Sequence, residues 1–319
     1  MSAKNQFTYP ESVDFDRFAD TVRRLGRPEG MVDVVLDTDT YNEIDDQFAI
    51  AYLLQSSDRL RVRALTAAPF LNHHSESPKD GMERSYEEIF RVLSLMGRED
   101  VNGQVYRGAD RFLESESEPV PSEAAEKLIT LSKEYTGEHP LYVVCIAAPV
   151  NIASALLMDP SLRERIVVLW SGGVGLGWPD CQCFNGGQNI ASSRVLLESG
   201  VPLVLTPGRS VGDHLLTTGP ELEYWLRGKN RFCDYIVDKT IREAELFAKT
   251  QVWSRPLTDV VPVSWLVDEQ FVLDRIEFRP TIEYTRYYSS DPRRPMMRYV
   301  YYIKRDLILD DLFGKLARI

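Results

Sequence analysis

The sequence predicts an α/β protein with an open, mostly parallel central sheet and helices on both faces. Short apolar segments of the kind that form buried strands alternate with helical segments, which is typical of parallel sheets. Several of these strands end in polar residues, and open α/β sheets bind ligands at the carboxyl ends of their strands. We expect one domain over all 319 residues, with a polar N-terminal extension (1–30) and a β-rich and helical C-terminal segment (272–319) packed on it.

The predicted elements follow from apolar patterning and from residues that begin or end helices. Residues 141–147 (LYVVCIA) form a continuous apolar run, which indicates a strand buried on both faces. Helical spacing of apolar residues marks 81–96, and Ser122 is a suitable N-cap for the helix that follows it. Strands are expected at 32–36, 61–67, 105–109, 141–147, 165–170, 201–205 and 297–303. Helices are expected at 13–24, 45–54, 81–96, 122–134, up to 158, at 190–199, within 221–250, at 259–267 and at 307–317.

Composition excludes several classes of protein. The chain is 44% hydrophobic and 27% charged, as in ordinary globular proteins, and its net charge of −11 argues against nucleic-acid and anionic-membrane partners. The polar N-terminus does not resemble a signal peptide, and no apolar run reaches the roughly 20 residues that span a bilayer. We therefore expect a cytoplasmic protein. Its four cysteines suggest neither a disulfide framework nor a zinc site.

The first strand leads into an acidic stretch, residues 34–50, with the sequence VVLDTDTYNEIDDQFAI. Asp37 and Asp39 are two residues apart and face the same way on an extended chain, and Asp45 and Asp46 follow in the loop. Packed carboxylates repel one another, and a bound Ca²⁺ or Mg²⁺ removes that cost. Acids that favour a helix dipole would explain Asp45 and Asp46, but not the pair at the strand end. The pattern therefore favours a metal site.

Polar residues also follow the later strands. They are Asn72, Val150-Asn151, Asn185 and Asp259. Since strand ends meet at one edge of an α/β sheet, these amides and carboxylates would surround the metal and suit a polyhydroxylated ligand. A metal-bound water beside Asp39 would be an activated nucleophile, and an aspartate acting on it as general base is the inverting arrangement for glycosidic cleavage.

Taken together, these segments resemble the nucleoside hydrolases, the inosine-uridine-preferring ribohydrolase superfamily. The family signature DxDPGxDDAxA is present as DTDTYNEIDDQFA, with two extra residues and no Pro-Gly. Further matches are Asn72 after the second strand, AAPVNIASAL for the family's GPLTNIA, residues 167–173 for its VxxMGG strand, Phe184-Asn185 for the end of its EFN, and Asp259 for its late aspartate. The resemblance covers roughly residues 32–267.

The resemblance implies a Rossmann-like core that hydrolyses the N-glycosidic bond of a ribonucleoside, or a related ribosyl compound, to free base and ribose through an oxocarbenium-like state. The implied calcium ligands are Asp39, Asp46, the carbonyl of Val150 and Asp259. Asp39 would also be the general base on a calcium-bound water, with Asp37 supporting the loop. The implied ribose-binding residues are Asp45, Asn72 and Asn185. Relatives form homodimers or homotetramers, and their small-molecule chemistry serves purine or pyrimidine salvage.

This chain departs from the family pattern on the side of the sugar and the base. Cys183 stands where the family's EFN has its glutamate, although we keep Cys183 among the expected substrate-binding residues. Asn189 replaces an acidic residue, and Thr258 replaces the histidine that often precedes the late aspartate. Trp178-Pro179-Asp180 replaces the usual Gly-Asn. The acids of the metal site are retained, whereas one acidic group that binds the ribose and the histidine that would protonate the base are not.

Three further residues are candidates for the base end of the site. His74, or its neighbour His73, is suited to protonate a leaving base, and the alternative is a surface loop. The resemblance places His214 near the base pocket, where the alternative is a histidine at a helix start. Trp178 is suited to stack on a nucleobase, and the alternative is a core aromatic residue. We name His74 and His214 as candidate acids and Trp178 as a candidate substrate-binding residue.

Two other functions fit parts of the sequence. Residues 37–40 read DTDT, which matches the DxDxT of magnesium-dependent haloacid-dehalogenase-type phosphatases, where the first aspartate is the nucleophile. That reading leaves the later acids without a role. The second alternative is a non-catalytic protein that binds a nucleoside or ribosyl compound on the same scaffold, and it is motivated by Cys183 and Thr258.

Overall fold

A computed structural model describes residues 15–291 and 294–319 of the chain. The strands are β1 Val32–Thr38, β2 Leu60–Ala67, β3 Val105–Arg107, β4 Leu141–Cys145, β5 Ile166–Ser171, β6 Leu203–Thr206, β7 Leu216–Thr217, β8 Arg255–Pro256, β9 Val272–Phe278, β10 Thr281–Ile282, β11 Tyr288–Ser289 and β12 Met296–Ile303. The α-helices are α1 Phe15–Arg24, α2 Asp45–Gln55, α3 Pro78–Leu95, α4 Glu123–Ser132, α5 Val150–Met158, α6 Phe184–Gly187, α7 Ile190–Glu198, α8 Gly219–Trp225, α9 Arg231–Phe247, α10 Val260–Val267 and α11 Arg305–Leu316. The first two residues of the helix expected at 13–24 lie outside the described part of the chain.

Eight strands form the central sheet in the order β3-β2-β1-β4-β5-β6-β12-β9. Neighbouring strands are parallel, except that β9 pairs antiparallel with β12 at one edge. This confirms the predicted mostly parallel sheet. The carboxyl ends of β1, β2, β4 and β5 therefore lie along one edge, which is where the polar residues of the sequence pattern are found.

Helices cover both faces of the sheet. Val34 and Leu36 of β1 pack in the apolar layer that α2, α3, α9, α10 and α11 complete, whereas Val35 packs in the layer formed with α4, α5 and α7. Successive side chains of a strand point to opposite faces, so a strand covered on both sides must be apolar throughout. Burying one such aliphatic side chain stabilises the fold by roughly 1.5–3 kcal/mol.

Helix starts in the sequence have the expected local causes. The Ser122 hydroxyl accepts the Ala125 N–H at 3.2 Å, as predicted for an N-cap of α4. Ser77 caps α3 in the same way, with its hydroxyl accepting the Asp80 N–H at 3.1 Å, so α3 begins three residues earlier than the apolar spacing indicated.

Short strands beyond the main sheet were not expected. The pairs β7–β8 and β10–β11 have two residues in each strand, which is too short to show an alternating pattern. In the C-terminal segment, β9 and β12 extend the central sheet beside β6. In the part of the chain that the structure describes, no helix combines the length and the apolar character needed to cross a membrane.

Candidate active site

The acidic stretch occupies the carboxyl end of β1 and the first turn of α2. Asp37 is in β1, Asp39 directly follows the strand, and Asp45 and Asp46 open α2. All four carboxylates are buried, with relative exposures of 5% or less. A strand end and a helix start thus deliver four acids to one place beneath the protein surface.

Asp37 holds the strand end in place. Its Oδ1 accepts a hydrogen bond from the Thr66 hydroxyl of β2 at 2.6 Å and from the Asn151 amide of α5 at 2.8 Å. The same Asn151 accepts the Ala109 N–H at 2.8 Å. Burial raises the pKa of Asp37 to about 6, against the effect of these donors. Its carboxylate therefore joins three segments of the chain that surround the site.

Three carboxylates converge more closely than the rest. Ligand atoms of Asp45, Asp46 and Asp259 lie within 4.8 Å of one another. Asp259 precedes α10, and its backbone N–H donates to Asp45 Oδ2 at 3.2 Å, which joins the start of α2 to the start of a helix far away in sequence. Asp46 accepts a hydrogen bond from Thr38. The remaining oxygens, Asp39 Oδ1 and Asp46 Oδ2, are buried without a hydrogen-bond partner among the described residues.

The acids strongly oppose each other's ionisation. Burial raises the pKa values of Asp39, Asp46 and Asp259 well above the usual range, and neighbouring aspartates raise them further. Burial and then the charge of Glu43 raise the pKa of Asp45 to about 7. A divalent cation would remove this repulsion and give the unpartnered oxygens a ligand. The all-oxygen donor set thus fits a hard cation such as calcium.

A pocket of about 210 Å³ opens onto these acids. Its lining residues are Asn42, Glu43, Asp45, Ser171, Gly172, Cys183, Phe184, Asn185, Gly208, Arg209, Asp213, Pro256, Thr258 and Asp259. They come from the acidic loop, the end of β5, the segment around α6, the loop after β6 and the segment before α10. The pocket combines a deep anionic floor with amide, thiol and hydroxyl groups, as a polyhydroxylated ligand requires.

Asn185 and Cys183 form one wall of this pocket. The Asn185 amide donates to the carbonyls of Ile146 and Ser171 at 3.0 and 2.9 Å, so both donor contacts are made to the ends of β4 and β5. Cys183 caps the short helix α6, with its sulfur accepting the Gly186 N–H at 3.2 Å and the Gly173 N–H at 2.8 Å. Gly173 has a φ of 70°, which favours glycine and directs its N–H towards the thiol.

The residues that follow β2 contact the buried acids through Asn42. The Asn72 amide donates to Asn42 Oδ1 at 2.6 Å, and the Asn42 amide donates to Asp39 Oδ2 at 3.4 Å. Asn72 also accepts the His74 N–H at 2.8 Å. The His74 ring lies edge-on to Tyr41, with 6.2 Å between centroids, and burial lowers its pKa. Neither Asn72 nor His74 lines the pocket among the described residues.

Of three further predicted residues, His214 and Trp178 lie at the periphery of the site, and Val150 lies at the start of helix α5. The His214 side chain is 71% exposed and lines a separate groove of about 490 Å³ that contains none of the buried acids. Trp178 is 44% exposed beneath the Arg209 guanidinium, 5.0 Å from its ring centroid, and is outside the pocket lining. Val150 is buried as the first residue of α5, where its segment follows β4. The structure therefore does not bring His214 or Trp178 to the buried acids.

Other lining residues escaped sequence reasoning. Ser171 ends β5, and its buried side chain lines the pocket close enough to Asp259 to lower the pKa of that carboxyl against the effect of burial. Glu43 lies in the part of the acidic loop that exceeds the family signature, so the two extra residues were its only signal. Asp213 and Arg209 follow β6. The loop after β6 is polar in the sequence, but no sequence pattern assigned these two residues to the site. Their positions depend on how distant segments pack, which no local pattern specifies.

The fold and pocket define an α/β protein with an acidic, metal-suited site at the carboxyl edge of a parallel sheet. The family model for inosine-uridine preferring nucleoside hydrolase matches residues 34–300 of the chain. The chain therefore belongs to this family of glycosidases, whose members act on nucleosides.

Solved structures agree with this fold. A plant nucleoside hydrolase has a TM-score of 0.72 at 17% sequence identity, with 92% of this chain and 100% of that chain covered. A purine-preferring ribonucleoside hydrolase from Gardnerella vaginalis has a TM-score of 0.67 at 18% identity, with coverages of 90% and 98%. The type III effector protein XopQ, solved with adenosine diphosphate ribose, has a TM-score of 0.66 at 16% identity, with coverages of 96% and 99%.

Proposed function

We propose that this protein is a calcium-dependent hydrolase of the N-glycosidic bond in ribonucleosides or related ribosyl compounds. The observation that carries the proposal is the buried convergence of Asp45, Asp46 and Asp259 at the pocket of a family member, beside carboxylate oxygens that have no hydrogen-bond partner in the part of the chain that the structure describes. Family membership supports the reaction class. We include ribosyl compounds other than nucleosides because XopQ was solved with adenosine diphosphate ribose.

The residues that would hold the cation are the buried acids together with one backbone carbonyl. We propose Asp39, Asp46, Asp259 and the carbonyl of Val150, and the closeness of Asp45 to Asp46 and Asp259 makes Asp45 a further candidate. A bound calcium ion would supply positive charge that neutralises the acids and acidifies a neighbouring water.

Asp39 is the proposed general base. Its Oδ1 is buried and has no hydrogen-bond partner within residues 15–291 and 294–319, while Asn42 contacts the other oxygen at 3.4 Å. A carboxylate in this state can accept the proton that a water molecule loses as it attacks the anomeric carbon. Asp37 has the supporting role, because its hydrogen bonds to Thr66 and Asn151 hold the end of β1 in place.

The proposed sugar-binding residues are Asp45 and Asn185, which line the pocket, with Asn72 behind them. Both hydrogens of the Asn185 amide have the wall's carbonyls as acceptors, so the side-chain oxygen is the atom left for a ribose hydroxyl. Asn72 contacts Asn42, and it would serve the sugar by orienting that residue. Cys183 offers the pocket a weakly polar sulfur instead of a carboxylate.

The structure gives less support to the two alternatives. A phosphatase of the haloacid-dehalogenase type would need Asp37 as nucleophile, yet Oδ1 of this carboxylate already accepts hydrogen bonds from Thr66 and Asn151, which hold the end of β1 in place. A non-catalytic ribosyl-binding protein would not need the unpartnered Asp39 oxygen beside the cation site. We therefore propose neither.

A substrate panel tests the proposal. The purified protein is incubated with inosine, uridine, adenosine, a 5-modified pyrimidine riboside and adenosine diphosphate ribose, with calcium and then with a chelator. Free base and ribose are separated by chromatography. We expect calcium-dependent release of free base from at least one compound. Binding of these compounds without release of base would instead support the ribosyl-binding alternative.

A further inference from the structure

The acidic loop between Asp39 and Asp45 is two residues longer than in the family signature, and residues within this loop contact both the buried acids and a distant segment of the chain. Five residues, 40–44, separate Asp39 from Asp45, where the signature has three. Among them, Asn42 contacts Asp39, and Glu43 lines the pocket. Glu43 Oε2 accepts a hydrogen bond from Arg255 Nη2 at 2.9 Å. The longer loop thus connects the acids to the segment that carries Asp259.

Arg255 is held beside the pocket with donors to spare. It lies in β8, which pairs with β7, and the next residue, Pro256, lines the pocket together with Glu43. The Arg255 side chain is 18% exposed, and its buried Nε has no hydrogen-bond partner among the described residues. Its charge reaches the site, because it lowers the pKa of Asp45 against the effect of burial. A guanidinium carries five N–H groups, and only one bond to Glu43 is made here.

Glycosidic cleavage needs such a cation at this pocket. As the bond from the sugar to the base breaks, its electron pair moves to the base nitrogen, which becomes anionic unless a proton or a positive charge meets it. The described lining residues include no histidine, lysine or tyrosine, and Thr258 is a poor acid. Positive charge fixed in a partly buried site stabilises a developing anion far more than it would in water.

We propose that Arg255, oriented by Glu43, stabilises the negative charge on the departing base. This inference rests on the proposed hydrolase function. Water adds its oxygen to the anomeric carbon and gives a proton to Asp39, while the carbon–nitrogen bond breaks and its electron pair goes to the base. The base leaves as an anion beside the guanidinium and takes a proton from solvent. Arg255 is thus an electrostatic group, and Glu43 is a positioning residue.

Arg209 is the cation among the described lining residues of the pocket, whereas Arg255 lies just outside that lining, next to Pro256; Arg209 is nevertheless less suited to this role. Its guanidinium donates to the Gln182 carbonyl at 3.0 Å and covers the exposed Trp178 ring. It is itself exposed to solvent, where its charge is screened. Arg255 is less exposed and has an unpartnered donor, so the geometry favours it.

The test compares two substrates that differ in leaving group. Inosine has a base that is a poor leaving group as an anion, whereas 4-nitrophenyl β-D-ribofuranoside releases a phenolate that is stable without help. In the full-length chain, Arg255→Met should lower kcat for inosine by about 100-fold, the effect of removing one preorganised electrostatic group. It should change kcat for the nitrophenyl riboside by less than about threefold, because that leaving group needs little stabilisation. Arg255→Lys should restore part of the loss with inosine.

One control variant and one further test variant separate this electrostatic role of Arg255 from a loss of structure. Arg107→Met removes an arginine that pairs with Glu83 at 2.9 Å, away from the pocket, and should leave both rates unchanged. Glu43→Gln should also reduce inosine turnover selectively, and combining it with Arg255→Met should add little, since Glu43 acts through Arg255.

The outcomes are distinguishable. A selective loss with inosine supports the inference. An equal loss with both substrates, or no loss with either, overturns it while leaving the hydrolase function intact. If the unmodified protein releases ribose from neither substrate and from no compound of the substrate panel, the proposed function fails and the inference fails with it.

Discussion

The floor of the pocket and its walls differ in how closely they match the family pattern. We call the four acids Asp39, Asp45, Asp46 and Asp259 the floor: all four match acids of the family pattern and are buried beneath the sheet edge, and Asp45 and Asp259 line the pocket. The walls carry the departures. Cys183 and Thr258 replace acidic and imidazole groups, and the longer loop adds Glu43. In the proposed mechanism, the reacting water and the cation depend on the floor, whereas the sugar and the base depend on the walls.

From this difference we propose that the chain keeps the family's reaction and differs from its relatives in substrate preference. Four mutually repelling buried carboxylates are costly to fold without a cation, so their retention is hard to explain by stability. A thiol at Cys183 instead satisfies two backbone N–H groups and caps α6. The walls therefore remain well formed locally while presenting a different surface to the ligand.

The largest effect should come from the floor. Asp39→Asn removes the proposed base and a proposed ligand, so kcat for the best riboside should fall by at least about 1,000-fold. Steady-state base release measures it. Asp110→Asn, which changes an exposed aspartate paired with Arg111, is the matched control and should be neutral. Near-normal activity of the Asp39 variant would contradict the assignment.

The second effect concerns stability and pH. The pKa of Asp45 is raised to about 7 in the folded protein, and those of Asp39, Asp46 and Asp259 are raised too. Raised carboxyl pKa values give the metal-free fold a contribution that is present at low pH and is lost as the pH rises through about 7. A cation replaces the missing protons, and at 100 times its Kd it would contribute about 2.7 kcal/mol.

Thermal melting with calcium and with chelator should therefore show a larger calcium-dependent rise in Tm at about pH 8 than at about pH 5. Asp110→Asn should show the same pH dependence as the unmodified protein. An equal rise at both pH values would mean that the acids do not share a cation.

A smaller effect tests the wall at Cys183. Cys183→Glu restores the carboxylate of the family pattern and should lower KM for a nucleoside roughly tenfold, since a charged hydrogen bond contributes about 1.5–3 kcal/mol. Cys183→Ser is the control, because serine also caps helices and should leave KM nearly unchanged. If the glutamate variant keeps the original KM, position 183 does not face the sugar.

The smallest effect is expected at Trp178. Its ring is 44% exposed and lies outside the pocket lining, so Trp178→Ala should change KM less than about twofold. Binding of a fluorescent nucleoside analogue would report the same comparison directly. A KM increase of about tenfold or more would show that the aromatic ring moves onto the bound base.

The sequence predicted the fold and the floor better than the walls. Continuous apolar strands such as β4 and the polar residues at strand ends are local patterns, so the parallel sheet and its acidic edge could be read directly. Asp259 was expected at this edge from its place among the polar residues of the later segments, but its role as a metal ligand came only from the family resemblance, since no local signal joins it to Asp45. The roles of Glu43 and Arg255 depend on a contact between residues 212 positions apart. Such contacts are set by tertiary packing, and no periodic pattern in the sequence marks them.

The most direct measurement is a calcium titration of chelator-treated protein, in which bound cation and base released from inosine, or from the best riboside of the panel, are followed together. We expect activity to be absent without calcium and to return in proportion to the binding of a cation at the buried acids. Asp39→Asn should then weaken cation binding and abolish activity. Full activity in the chelator, or cation binding without any release of base, would contradict the account.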